Sequence, residues 1–238
     1  MPNNRVAQIT CGVLFKHTFK ILDIWGEIAD YILYGNKYFS PSYFPQISPQ
    51  YTTERALYNN DGSCSIRLSA NNLIYTHSLA PDEELDSSIS QFEERLTKCL
   101  IPKIVNDNQL ITQRIGILYT CEVTSVGMEA FVSKYFRPEY KGITDFRFSK
   151  KESTVNGALW NDKNDYINKI YTVGSAGPET MAISFDYQMH YCPPRQYIID
   201  QLAIWASTGA GKKPVRSKMH IKILLCIQAL PLMIQIVV

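Results

Sequence analysis

The sequence predicts an α+β fold in which antiparallel sheets carry helices on one face, arranged as two ferredoxin-like halves side by side. Short segments of period-two hydrophobicity follow one another across tight turns, which favours antiparallel pairing over βαβ crossovers. Segments of period 3.6 interrupt them, and an amphipathic helix needs a sheet face to cover. At 238 residues, 45% hydrophobic and 19% charged, the chain has the size and composition of one large domain or two small ones. It lies well away from disordered compositions.

Taken in order, the apolar run 6–15 is β-rich, bounded by Asn and Lys, and reads as a strand. Ile21, Leu22, Trp25, Ile28, Ala29, Ile32 and Leu33 recur at three and four, giving a helix that Gly35 stops. Residues 36–53 hold Pro41, Pro45 and Pro49 and read as an ordered loop. Runs 54–59 and 63–70 flank Asp61-Gly62, a hairpin signal because this pair tolerates positive φ, and 70–77 adds a third strand. The clearest helix spans 83–100, with Leu85, Ile89, Phe92, Leu96 and Cys99 or Leu100 on one stripe, acidic residues at its positive end and Pro102 as its stop.

The stretch RIGILYTCEV then puts Ile115, Ile117, Tyr119 and Cys121 on one face and predicts a central strand facing helix 83–100. Gly116 points the other way, which suggests close approach by a neighbour. A helix over 128–136 and strands over 144–150, 166–173 and 181–191 follow. Pro193 and Pro194 open a last helix carrying Tyr197, Ile198, Leu202 and Trp205, since proline suits a first turn. One α+β domain thus covers 1–207, with halves 1–125 and 126–207, and 208–238 forms a basic then apolar tail.

The formal net charge is +2, too small to argue for a polyanionic partner. Five cations (Lys212, Lys213, Arg216, Lys218, Lys222) and no acid lie in the tail, so the body is mildly acidic. Six scattered cysteines without a Cys-x-x-Cys pair, and no basic-then-apolar start, point to a reduced cytoplasm.

The motif search yields little chemistry. Around Gly211-Lys212, Ala206 and Lys213 stand where a phosphate-binding loop needs glycine and a hydroxyl. Asp186 and His190 share a strand face, but a metal needs more ligands in defined geometry, so no metal or cofactor is expected. No nucleophile elbow or Cys-His signature appears. Residues 134–151 are richer: Lys134, Arg137, Lys141, Arg147, Lys150 and Lys151 interleave with aromatics including Phe146 and Phe148. Aromatics stack on unpaired bases while cations hold phosphates, which makes this stretch the candidate for nucleic acid. The bland reading, a half-buried strand with aromatics in and cations out, weighs more. The tail 219–238 admits three readings: a membrane anchor, a segment packed on the domain, or a non-native end.

The order of these motifs, and above all the strand with Arg114, Gly116 and Tyr119, resembles a sporadically distributed bacterial family of conserved hypothetical proteins. That family's strand runs Arg-hydrophobe-Gly-Leu-Arg-Tyr, and Leu118 stands here in place of its second arginine. The resemblance covers about residues 5–207 and implies a compact cytosolic α+β protein, with a patchy spread that hints at mobile or defence gene neighbourhoods. It transfers no activity.

The leading expectation is a non-enzymatic cytosolic binding or scaffold protein, with a protein partner or a second copy as candidate partners. The alternatives are a single-stranded RNA-binding or RNA-processing protein, in which His190 would be the nominal general acid, and a tail-anchored membrane-associated protein.

Overall fold

The computed structural model describes residues 4–39, 46–47, 54–124, 127–136, 138–140, 142–153 and 164–196. Among these residues nine strands form one antiparallel sheet: β1 (Asn4–Phe15), β2 (Gln46–Ile47), β3 (Glu54–Tyr58), β4 (Cys64–Ser69), β5 (Asn72–Ser78), β6 (Ile111–Thr124), β7 (Asp145–Ser153), β8 (Tyr166–Gly177) and β9 (Thr180–Gln196). Their order is β2-β3-β4-β5-β1-β6-β9-β8-β7. The α+β class and the antiparallel pairing are as the sequence predicts. The strands form one continuous sheet, because β6 of the first expected half pairs with β9 of the second along most of its length.

Helices α1 (Lys20–Asp23), α2 (Trp25–Tyr34), α3 (Leu85–Arg95) and α4 (Met128–Tyr135) share one hydrophobic core with a single face of the sheet. That face carries Ile9, Cys11 and Val13 of β1, Ile115, Ile117, Tyr119 and Cys121 of β6, and Ile183, Phe185 and Met189 of β9. Strand β6 is therefore central, and its odd-numbered face is the buried one. Tyr75 of β5 stacks on Phe92 of α3, centroids 4.6 Å apart, so α3 lies over this face as its stripe requires.

Local chemistry explains most boundaries. Gly62 sits at φ +71° in the β3–β4 turn, where Asp61 accepts from the Ser63 N–H and Asn59 accepts from the Cys64 N–H. Asn36 donates to the Tyr31 and Ile32 carbonyls at 2.7 Å each and closes α2. Gly127 opens α4 against the β8–β9 turn, where an added Cβ would meet the Pro178 carbonyl oxygen at 2.1 Å.

Three boundaries depart from expectation. The single helix expected over 21–33 is broken at Ile24 into α1 and α2. Pro102 does not stop the second helix: α3 passes into a π-helix, Leu96–Asn106, with Pro102 inside it. Leu96, Cys99, Leu100, Ile101, Ile104 and Val105 are all buried there, so apolar burial outweighs the proline. The wider i→i+5 winding also relieves the clash a proline makes with the preceding turn of an α-helix.

Third, Pro193 and Pro194 do not open a helix, because β9 runs through them to Gln196. The register jumps there from Arg114↔His190 to Thr112↔Arg195, so Tyr191–Pro194 bulge opposite Gln113 alone. A bulge is where a strand accommodates residues that cannot donate to the ladder. The expected helix residues Tyr197, Ile198, Leu202 and Trp205, and the tail 208–238, lie outside the described residues. Among the described residues no helix is long and apolar enough to cross a membrane.

Candidate functional site

The sheet face turned away from the helices is polar, and register decides which side chains meet on it. Side chains alternate along a strand, so residues that pair across strands share a face. One row across the face runs Leu14, Arg114, His190, Tyr166; the next runs Ile74, Gly12, Gly116, Gln188, Asn168, Lys151; the third runs Thr76, Thr10, Leu118, Asp186, Ile170.

A connected polar cluster spans β6, β9 and β8. The Arg114 guanidinium donates to Gln188 Oε1 at 3.2 Å, and the Gln188 amide donates to Asp186 Oδ2 at 2.5 Å. His190 Nε2 lies 3.3 Å from the same Gln188 oxygen. The His190 ring stacks on Tyr166 at 4.4 Å with 9° between planes, and Lys151 Nζ stands 3.8 Å above the other ring, that of Tyr166. Gln188 thus fixes Arg114 and Asp186 relative to each other without an ion pair between them.

Burial and neighbouring charges shift both titratable groups at the centre of this cluster. Burial pushes the Asp186 carboxyl above its ordinary range, against the pull of the Gln188 hydrogen bond and the Arg114 and Arg147 charges. Burial, then the Arg114 and Lys151 charges, hold the His190 imidazole below its ordinary 6.5. Both shifts favour neutral forms. The guanidinium of Arg114 is half-buried, and it has five N–H donors of which one is used by Gln188.

Beside this cluster the face has a bare shelf. Gly12 of β1 and Gly116 of β6 pair directly, so two adjacent strands present backbone where side chains would stand. Leu14, Ile74 and Leu118 border the shelf in register, with Arg114 and Gln188 at its β9 side. Neither glycine has positive φ, and no register shift falls between Gln8 and Leu14. Among the described residues nothing lies within 4 Å of a Cβ added at Gly12. At Gly116 the nearest atoms, Gln188 Cγ and the Tyr187 carbonyl oxygen, would be at 3.5 Å, an ordinary contact. The close neighbour that the sequence suggested at Gly116 is therefore not a tight one.

The strand motif is split by the pleat. Arg114 and Gly116 belong to the polar face, while Tyr119 is buried on the core face, where desolvation raises its phenol pKa. The basic and aromatic stretch is split too. Phe146 stacks on Phe136 at 4.4 Å and packs against the core, whereas Arg147 and Lys151 belong to the polar face and are exposed. Phe148 pairs with Tyr171 and Lys150 with Lys169 in the β7–β8 ladder. Lys134 is exposed on α4, and Arg137 and Lys141 lie outside the described residues.

Asp186 and His190 do share a face, two residues either side of Gln188. Among the described residues no three His, Cys, Asp or Glu side chains gather as metal ligands would. Sequence reasoning missed Gly12, Gln188 and Tyr166. Alternation alone places Gly12 opposite the buried residues of β1, but only the β1–β6 register brings it beside Gly116.

No family model matches the chain, and no curated protein matches it. Among solved structures, the di-domain ARO/CYC StfQ from the steffimycin biosynthetic pathway aligns over 94% of each chain at 7% identity, with a TM-score of 0.21. That likeness is too slight to carry an argument about fold or function.

Proposed function

We propose that this is a non-enzymatic cytosolic binding protein whose ligand is an anion, held on the polar sheet face around Arg114. The observation that carries this reading is the state of Arg114: half-buried, oriented by the neutral Gln188 amide, and with no carboxylate in salt-bridge reach among the described residues. An arginine held in place with spare donors is arranged for a carboxylate or phosphate. The nearby Lys151 adds to the positive field. No disulfide joins any of the five described cysteines to another, which suits a reduced compartment. Calorimetric titration with inorganic phosphate and with acetate tests the reading: binding is expected, and Arg114→Ala should abolish it. Absence of Arg114-dependent anion binding at moderate salt refutes it.

A second reading, single-stranded RNA binding, is favoured by the Tyr166–His190 stack lying on the same face as Arg147 and Lys151. Aromatic platforms on open sheets hold bases in this way. Anisotropy with a labelled oligoribonucleotide, repeated with Tyr166→Ala, separates the two. The family resemblance carried by Arg114, Gly116 and Tyr119 is likewise a proposal. It fits a binding role in that two of those three residues border the same shelf.

A further inference from the structure

We infer that the Gly12–Gly116 shelf seats a flat ring, so that the ligand is a compact anion carrying a planar aromatic or heteroaromatic group. This rests on the anion-binding reading above and names the other half of the ligand. The argument starts from what the glycines are not needed for. Neither has a positive φ, neither is at a bulge, and the space above Gly12 is open among the described residues. A strand-interior glycine without a backbone reason marks a place where something approaches the backbone closely.

The shape then selects the occupant. Two paired glycines on neighbouring strands, spaced about 5 Å apart, leave a floor of peptide planes about as wide as one six-membered ring. Leu14, Ile74 and Leu118 border that floor with apolar side chains, which suits a ring and not a hydrated ion. Arg114 belongs to the adjoining row of the same strand, about 7 Å along from Gly116. A guanidinium at that distance meets a carboxylate or phosphate attached to the ring.

The test uses calorimetry on the full chain with two matched pairs: acetate against benzoate, and inorganic phosphate against phenyl phosphate. The pairs distinguish a carboxylate from a phosphate head. The ring-bearing member of at least one pair should bind about tenfold more tightly than its ringless partner, since one face of a ring buries enough apolar surface for that margin. Gly12→Val should erase the margin, leave ringless binding intact, and keep or raise the melting temperature, because its side chain enters open space in a strand. Gly12→Ala should narrow the margin with no change in stability.

A wild-type protein that shows no ring preference, or a margin that survives Gly12→Val, overturns the shelf and leaves anion binding at Arg114 standing. A Gly12→Val variant that melts markedly lower also overturns it, since the chain itself would then cover the floor. Loss of all Arg114-dependent binding removes both readings together.

Discussion

Replacing Asp165 with alanine should destabilise the protein by about 3–5 kcal/mol, the range for removing one partner of a buried ion pair. Asp165 is 1% exposed. Its carboxylate accepts from the Cys192 N–H at 2.8 Å and from the Arg195 guanidinium at 3.0 Å, with a second, shorter contact from Arg195 to Oδ2. These bonds lie where the β6–β9 ladder lapses across Tyr191–Pro194, and two of those four residues are prolines that cannot donate. Asp165 therefore supplies the acceptor the ladder no longer offers, and it anchors the end of the strand that carries His190.

Alanine removes that acceptor and leaves the Cys192 N–H and a half-buried guanidinium without it, so the loss should exceed that of an exposed pair, about 0–1 kcal/mol. For a domain of this size the loss lowers the melting temperature by about 6–20 °C. Urea denaturation followed by circular dichroism gives the free energy directly. Asp165→Asn keeps an acceptor for Cys192 but sets an amide against Arg195, and should fall between wild type and alanine. An Asp165→Ala variant that loses less than about 1 kcal/mol refutes the anchoring role, since it would place the pair in the range of solvent-screened contacts.

Two further outcomes follow from the two faces of the sheet. Ile117→Ala should cost about 2–5 kcal/mol through a cavity in the packed core, because Ile117 faces the helices on the central strand; a silent variant in thermal melts would put that face at the surface. His190 has its imidazole pKa held below 6.5 by burial first and then by Arg114 and Lys151, so it contributes stability that is present above pH 6.5 and lost as pH falls through the folded value. His190→Gln should therefore shrink the stability difference between pH 7.5 and pH 5, and an unchanged difference in melting temperature across that interval would count against the shift.

How far the sequence could be read depended on which forces had the last word. Where burial and alternation agree, as in Ile115, Ile117, Tyr119 and Cys121 of β6, the strand and its inward face followed from pattern alone. Where a local breaker opposed burial, tertiary packing won: the apolar residues of 96–105 carry a π-helix through Pro102, and a bulge carries β9 through Pro193 and Pro194. The single sheet was hidden because it depends on β6 pairing with β9 across about seventy residues, a long-range register that no window of sequence reports. The polar face was half legible. Asp186 and His190 were seen to share a side, but Gln188, which links both to Arg114, is an ordinary polar residue until its neighbours are placed.

The strongest physical pointer to function is that two local rules are broken within one patch of this face. A glycine inside a strand weakens it by about 0.5–1 kcal/mol relative to alanine, and here two such glycines pair at the centre of the sheet, on two adjacent inner strands. Among the described residues, neither backbone angle nor neighbouring atoms require them. One row away, a half-buried arginine is oriented by a glutamine in place of a carboxylate. On the opposite face, from Ile9 to Val13 of β1 and from Ile115 to Val123 of β6, the same strands alternate and bury apolar and aromatic side chains. Departures from local consistency that cluster in one place, on one face, with no compensation among the described residues, are what a binding site leaves in a sequence. A solvated sheet face under no such demand would carry threonine or valine at both glycine positions and a paired arginine or none.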